Sequence, residues 1–197
     1  MSLHHHFIAT LVLLIAAVVA RAEPAAIGSA DDDVRRVFEL AQARLSVMRD
    51  VAAWKHANNV PVTDAAREQK VLDASVAEAQ RLGIDATSAR ELFSLQIRMA
   101  RDVQEHFLAT WRKTGRDTDR VRDLNKELRP ELDRLGAQLL QVTYLALPEL
   151  ARADFIQRRR ELANVIDMPG IETDDREQFL EALSALKSVP TPALERI

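Results

Sequence analysis

Hydrophobic residues recur at intervals of three or four along most of the chain, and the sparse Gly and Pro residues fall between these stretches. This spacing is typical of amphipathic α-helices that each bury one face. The stretches predict helices over about residues 32–57, 63–83, 88–115, 124–142, 148–166 and 173–186. The sequence therefore predicts an all-α protein, a bundle of about six helices.

The ends of these helices are marked by residues that commonly cap helices. Thr63 and Asp64 are good N-cap residues for the second helix, and Gly83 suits the left-handed position that follows its end. The sequence from Ser88 to Glu91 has the pattern of a capping box, which predicts that the third helix begins at Ser88. Pro130 lies within the fourth pattern and predicts a kink or a fresh start there.

The N-terminal residues have the pattern of a secretory signal peptide. An apolar run over residues 7–20 precedes the small residues Ala20 and Ala22, which predict cleavage after Ala22. The run is shorter than the roughly 20 residues of a transmembrane helix. An uncleaved membrane anchor is the alternative, because no Lys or Arg precedes the run. We expect a signal peptide at 1–22 and a single periplasmic or secreted domain at 23–197, without membrane association after cleavage.

Composition and charge exclude several classes of function. The 27 Lys and Arg residues are outnumbered by 30 Asp and Glu residues, so the chain lacks the basic excess expected of a nucleic-acid-binding protein. The absence of cysteine excludes disulfides and a thiol nucleophile. His56 and His106 are isolated from other metal-ligating residues along the helices, so we expect no metal site.

Three polar side chains lie on helical stripes that are otherwise apolar. Arg44 and Lys55 are eleven residues apart and project from the same helix face, roughly 16 Å from each other. Such cations either extend to solvent at the edge of the core or meet an anion in a pocket. Gln104 lies beside Ala100 and Phe107, and a buried amide needs hydrogen-bond partners. Each residue by itself is most simply structural.

Arg44 is followed after eleven residues by Lys55, after nine more by Asp64, after three more by Arg67 and its neighbour Glu68, and far downstream by Gln104. As a set, these positions resemble the all-helical AroQ-class chorismate mutases, and most closely the exported subclass. The resemblance covers about residues 34–140. It implies a fold like that of type II chorismate mutases, with a catalytic core at about 32–145 and accessory C-terminal helices at about 148–187. The spacing that carries it joins Arg44, Lys55, Asp64, Arg67, Glu68 and Gln104.

The resemblance implies an isomerase that converts chorismate to prephenate, a step of phenylalanine and tyrosine biosynthesis, without a cofactor. The catalytic residues implied are Lys55 and Gln104. The substrate-binding residues implied are Arg44, Arg67, Arg129, Asp64, Glu68 and Ala100. Arg129 matches the family pattern better than the competing Arg134, and Ala100 departs from the Ser or Thr common at its position. The exported subclass also implies a homodimer with a complete active site in each chain.

Two other functions remain open from the sequence. One is a non-catalytic exported helical bundle that binds a small anion or a partner protein, in which Arg44, Lys55, Arg67 and Gln104 do not converge. The other is an inactive mutase relative that binds a chorismate-like anion without turnover.

Overall fold

The structure is a computed structural model that describes residues 29–115 and 120–189. The predicted signal peptide at 1–22 therefore lies outside the described residues. The α-helices are α1 (Ala30–Ser46), α2 (Met48–Ala57), α3 (Ala65–Arg81), α4 (Ala86–Thr114), α5 (Arg129–Leu150), α6 (Phe155–Arg159) and α7 (Thr173–Ser184). A π-helical turn (Leu124–Leu128) precedes α5, and a 3-10 helix (Arg160–Val165) follows α6. The prediction of an all-α fold is confirmed.

The predicted first helix consists of α1 and α2, which meet at Val47. This residue keeps helical backbone angles, with φ −64° and ψ −21°, so α2 continues from α1 across one turn residue. At the start of α1, the Ser29 hydroxyl accepts from the Asp32 backbone N–H at 3.2 Å, while the Asp32 carboxylate accepts from the Ser29 N–H. Three aspartates in the first turn of α1 also interact favourably with the positive end of the helix dipole.

Two predicted helix boundaries are wrong. Helix α4 begins at Ala86, because the Asp85 carboxylate is its N-cap and accepts from the Ser88 backbone N–H at 2.9 Å. Helix α5 runs through Pro148 to Leu150, since Leu147 and Leu150 bury their side chains in the core and hold the last turn. Pro130, in contrast, lies in the first turn of α5, where its missing N–H has no intrahelical partner to lose.

The core forms where α1 packs along α5, and α4 joins α2, α3 and α7 to it. Phe38 of α1 and Phe179 of α7 are both fully buried, with ring centroids 5.6 Å apart and the rings edge to face. Burying a phenylalanine of this kind stabilises the fold by about 1.5–3 kcal/mol. The helices after α5 thus share the core of the preceding bundle. Within residues 29–115 and 120–189, every helix is too short or too polar to cross a bilayer.

Candidate active site

A cavity of about 280 Å³ lies between α1, α2, α3, α4 and the start of α5. All eight residues predicted for the site line this cavity, although they come from five different helices. They are Arg44, Lys55, Asp64, Arg67, Glu68, Ala100, Gln104 and Arg129. The competing Arg134 is exposed and donates to Gln138 Oε1 outside the cavity. The convergence of the predicted cations on one cavity argues against a bundle in which they are unrelated surface charges.

Arg44 projects from α1 towards α5, where its Nη1 donates to the backbone carbonyl of Leu132 at 2.9 Å. Burial lowers the pKa of Arg44 to about 10, and the Asp133 carboxylate opposes this shift. A half-buried guanidinium has further donors besides the one bonded to Leu132, and it is suited to receive an anion.

Lys55 of α2 is 7% exposed, and its ammonium donates to the backbone carbonyl of Val62. Burial lowers the pKa of Lys55, and the nearby carboxylates of Asp64 and Glu68 oppose the shift, while Arg129 lowers it further. An ammonium has three donors, so the bond to Val62 leaves others for a ligand. The carbonyl of Val62 therefore fixes the position of the ammonium at the cavity wall.

The N-cap and first turn of α3 contribute three charged residues to the cavity wall. Asp64 caps the helix by accepting from the Arg67 backbone N–H at 3.1 Å. The Glu68 Oε1 in turn accepts from the Asp64 backbone N–H at 3.4 Å. These two hydrogen bonds orient both carboxylates at the start of α3.

The charged side chains of the cavity pair with one another. Arg67 Nη2 lies 3.1 Å from Asp133 Oδ1, and Arg129 Nη2 lies 3.9 Å from Asp64 Oδ2. Arg129 also donates to the side-chain carbonyl of Asn125. These pairs reduce the cost of holding several cations near one another in the cavity. They can also rearrange when an anion enters.

Helix α4 contributes the amide of Gln104, which is 5% exposed. Its Nε2 donates to the Ala100 carbonyl at 2.9 Å and lies 3.5 Å from Met48 Sδ. The Oε1 atom is buried without a hydrogen-bond partner. Ala100, one turn earlier, presents no hydroxyl to the cavity.

Sequence reasoning missed four polar residues that line the same cavity. They are Gln96, Arg101, Asn125 and Asp133. Arg101 Nη1 lies 3.6 Å from Glu68 Oε2, and its place three residues before Gln104 is a signal that could have found it. Asp133 had no such signal, because only the packing of α5 against α3 brings it to Arg67.

The cavity carries an excess of positive charge. Five cationic and three acidic side chains line it, which leaves an excess of two positive charges. Apolar side chains of Val51, Trp54 and Leu132 form much of the remaining wall. The arrangement suits a compact ligand with two negative charges and an apolar body.

These features define an all-helical protein with a cavity lined by several cationic side chains. Residues 29–105 match the family model described as Chorismate mutase type II. This part of the chain, from α1 to Glu105 of α4, is thus similar to that family.

Two curated relatives and two solved structures are similar to this chain. The secreted chorismate mutase of Yersinia pestis is 38% identical over 72 residues, which are 36% of this chain and 39% of that relative. The monofunctional chorismate mutase of Enterobacter agglomerans is 28% identical over 145 residues, which are 73% of this chain and 78% of that relative. The match to the Yersinia pestis relative thus spans less than two thirds of its length.

Among solved structures, the secreted chorismate mutase from Yersinia pestis has a TM-score of 0.69 at 24% identity, covering 78% of this chain and 97% of that chain. The chorismate mutase from Burkholderia thailandensis also has a TM-score of 0.69, at 26% identity, covering 78% of this chain and 99% of that chain. The fold therefore extends well beyond the residues that the family model matches.

Proposed function

We propose that the protein is an exported chorismate mutase that converts chorismate to prephenate. The observation that carries the proposal is the excess of two positive charges in a cavity that matches the charge of chorismate, a dicarboxylate. The reaction is a Claisen rearrangement within one molecule, in which a C–O bond breaks as a C–C bond forms. It needs no nucleophile, proton transfer or cofactor, so the site has to supply orientation and electrostatic stabilisation alone.

Orientation comes from the arginines. Arg44, Arg67 and Arg129 are proposed to grip the two substrate carboxylates, because a guanidinium binds a carboxylate with two parallel hydrogen bonds. Held in this way, the extended side chain of chorismate folds over its ring and the reacting carbons approach. The present ion pairs of Arg67 and Arg129 support this role, because a substrate carboxylate replaces a protein carboxylate at little electrostatic cost.

Stabilisation of the transition state comes from Lys55 and Gln104. Negative charge grows on the ether oxygen as the C–O bond breaks, so a donor aimed at that oxygen binds the transition state more strongly than the ground state. Both side chains are already anchored to backbone carbonyls, Lys55 to Val62 and Gln104 to Ala100. This anchoring reduces the reorganisation that the reaction requires.

The two acidic residues of α3 have supporting roles in this proposal. Glu68 accepts a hydrogen bond from the ring hydroxyl of the substrate, and Asp64 braces the cations beside it. The contacts of Glu68 with the Asp64 N–H and with Arg101 keep its carboxylate at the cavity wall. Ala100 forms part of the wall near a substrate carboxylate.

Export and assembly form the second part of the proposal. The signal-like pattern at residues 1–22 and the similarity to a secreted relative support a periplasmic or secreted enzyme. The protein is proposed to form a homodimer with a complete site in each chain. The five cations that one chain brings to the cavity support a complete site in each subunit, whereas the homodimer rests on the resemblance to the exported subclass.

The test uses the mature chain, residues 23–197, purified and incubated with chorismate. Loss of the ultraviolet absorbance of chorismate, followed by acid conversion of the product to phenylpyruvate, identifies prephenate. Lys55→Met removes the buried donor and is expected to lower turnover by about 10²–10³. Lys113→Met, at an exposed position near the end of α4, is the matched control and is expected to retain activity.

The second candidate is an inactive relative that binds a chorismate-like dianion, and Ala100 is the observation that favours it. Calorimetric binding of chorismate by a folded sample without turnover identifies this function.

For the mutase proposal, near wild-type turnover in Lys55→Met contradicts the assignment of Lys55 but not the activity itself.

A further inference from the structure

A glycine in the middle of α5 lies directly against a cation of the candidate active site. Gly136 is within a regular helix, where glycine is less favourable than alanine. A Cβ atom at this position would lie 2.8 Å from Arg44 Nη1, closer than two such atoms approach in a folded protein. The present position of the Arg44 guanidinium therefore depends on the absence of a side chain at 136.

The same face of α5 also anchors that guanidinium. Arg44 Nη1 donates to the backbone carbonyl of Leu132 at 2.9 Å, and Leu132 precedes Gly136 by one helical turn. Residues four apart lie on one face of a helix, so the Leu132 carbonyl and the backbone of Gly136 lie side by side on the face of α5 that contacts Arg44. Arg44 borders both the candidate active site and a second cavity lined by Gly136 and Ala137.

We propose that Gly136 is a positioning residue for Arg44, and that its missing side chain lets the guanidinium lie against α5 and point at a substrate carboxylate. The inference rests on the proposed function, because it concerns how one of the proposed substrate-binding arginines is aimed. The residue itself touches no substrate and carries no chemistry.

The proposal predicts opposite effects of one substitution on stability and on activity. In Gly136→Ala, the added methyl group favours the helix, and the clash falls on the end of a long side chain that can move aside. Movement of Nη1 tilts the guanidinium away from the carboxylate, while another N–H of the same guanidinium or water can take over the bond to Leu132. Because misplacement by about 1 Å can cost roughly a hundredfold in rate, a large loss of activity is expected without loss of fold.

The experiment compares Gly136→Ala with Ala137→Gly, a control at the adjacent, exposed position of the same helix. For Gly136→Ala we expect kcat/KM for chorismate to fall at least about tenfold, through a higher KM, while the urea unfolding midpoint stays or rises. For Ala137→Gly we expect a lower urea unfolding midpoint and an unchanged kcat/KM. A midpoint that falls together with activity in Gly136→Ala overturns the proposal in favour of a structural role.

A double-mutant cycle tests whether the effect passes through Arg44. In an Arg44→Ala background, measured at high enzyme concentration, Gly136→Ala is expected to cause no further loss. A tenfold further loss overturns the proposal. The two proposals fail separately: a wild-type chain without turnover contradicts the mutase function, whereas an active wild type with an equally active Gly136→Ala variant contradicts only the role of Gly136.

Discussion

The side-chain amide of Gln104 donates to the backbone carbonyl of Ala100, one turn earlier in α4, over 2.9 Å. Its other N–H has only the sulfur of Met48, 3.5 Å from the nitrogen, as a weak acceptor. One N–H therefore holds the amide in place while the second remains available to a ligand oxygen. The Gln104 nitrogen is therefore oriented as a donor at the cavity wall.

The charge state of the group at position 104 is expected to set the pH dependence of turnover. Glutamine donates at any ordinary pH, so the wild-type kcat/KM is expected to vary little from mildly acidic to neutral pH. In Gln104→Glu the carboxyl group donates only when protonated, so kcat/KM is expected to rise as the pH falls. Steady-state rates measured across this range check the prediction, with Gln138→Glu outside the cavity as the control. An unchanged profile for Gln104→Glu removes Gln104 from its assigned role.

Lys55 is expected to set the alkaline limit of activity. Burial lowers its pKa from the ordinary value of 10.5, so the charged ammonium is lost at a lower pH than for an exposed lysine. The unfolded chain then binds more protons than the folded chain between the two pKa values. The contribution of Lys55 to stability therefore rises with pH in that window, and loss of its charge does not itself cause unfolding.

The measurement is kcat/KM as a function of pH for the wild type and for Lys55→Arg. Arginine keeps its charge to higher pH, so the variant is expected to be slower but to lose activity at a higher pH. If the alkaline limb of Lys55→Arg coincides with that of the wild type, another group controls it. Arg44 is the first alternative group to examine, because burial lowers its pKa to about 10.

Ala100→Ser is expected to improve substrate binding. The substitution adds a hydroxyl to the cavity wall at the position where the family commonly has one. A hydrogen bond to a charged group contributes about 1.5–3 kcal/mol at best, and a partly exposed one less, so KM is expected to fall roughly threefold to tenfold at similar kcat. Ala109→Ser, exposed on the same helix, is the control. A higher KM for Ala100→Ser indicates that the substrate does not place a carboxylate there.

Asp175 is expected to hold the C-terminal helices to the bundle. This carboxylate is 7% exposed, accepts from Arg98 Nη1 of α4 at 2.7 Å, and accepts from the Glu172 N–H at the start of α7. Asp175→Ala leaves both donors without this acceptor, so the free energy of unfolding is expected to fall by about 1–3 kcal/mol. Urea unfolding measures the change, with the exposed Asp174→Ala as the control. Equal stability of the two variants contradicts the role of Asp175.

Much of the fold was predictable because helix formation leaves a local signature. The spacing of apolar residues predicted long helices close to α3, α4 and α7, and Pro130 was correctly interpreted as a possible start of a new helix. The wrong boundary at Ser88 has a local cause, and the wrong boundary at Pro148 has a tertiary cause. Asp85 caps α4 three residues before Ser88, so Ser88 lies in the first turn, whereas burial of Leu147 and Leu150 extends α5 past its proline.

The sequence by itself determined the secondary structure and which polar residues share an apolar helix face, because a period of 3.6 residues relates positions within one helix. Through a family resemblance it also named eight residues that the fold brings to one cavity. Only the tertiary structure decided that Asp133 pairs with Arg67, that Arg101 pairs with Glu68, and that the Arg44 guanidinium lies against Gly136. These contacts join residues of different helices, and their geometry depends on how closely the helices pack, which no spacing within one helix specifies.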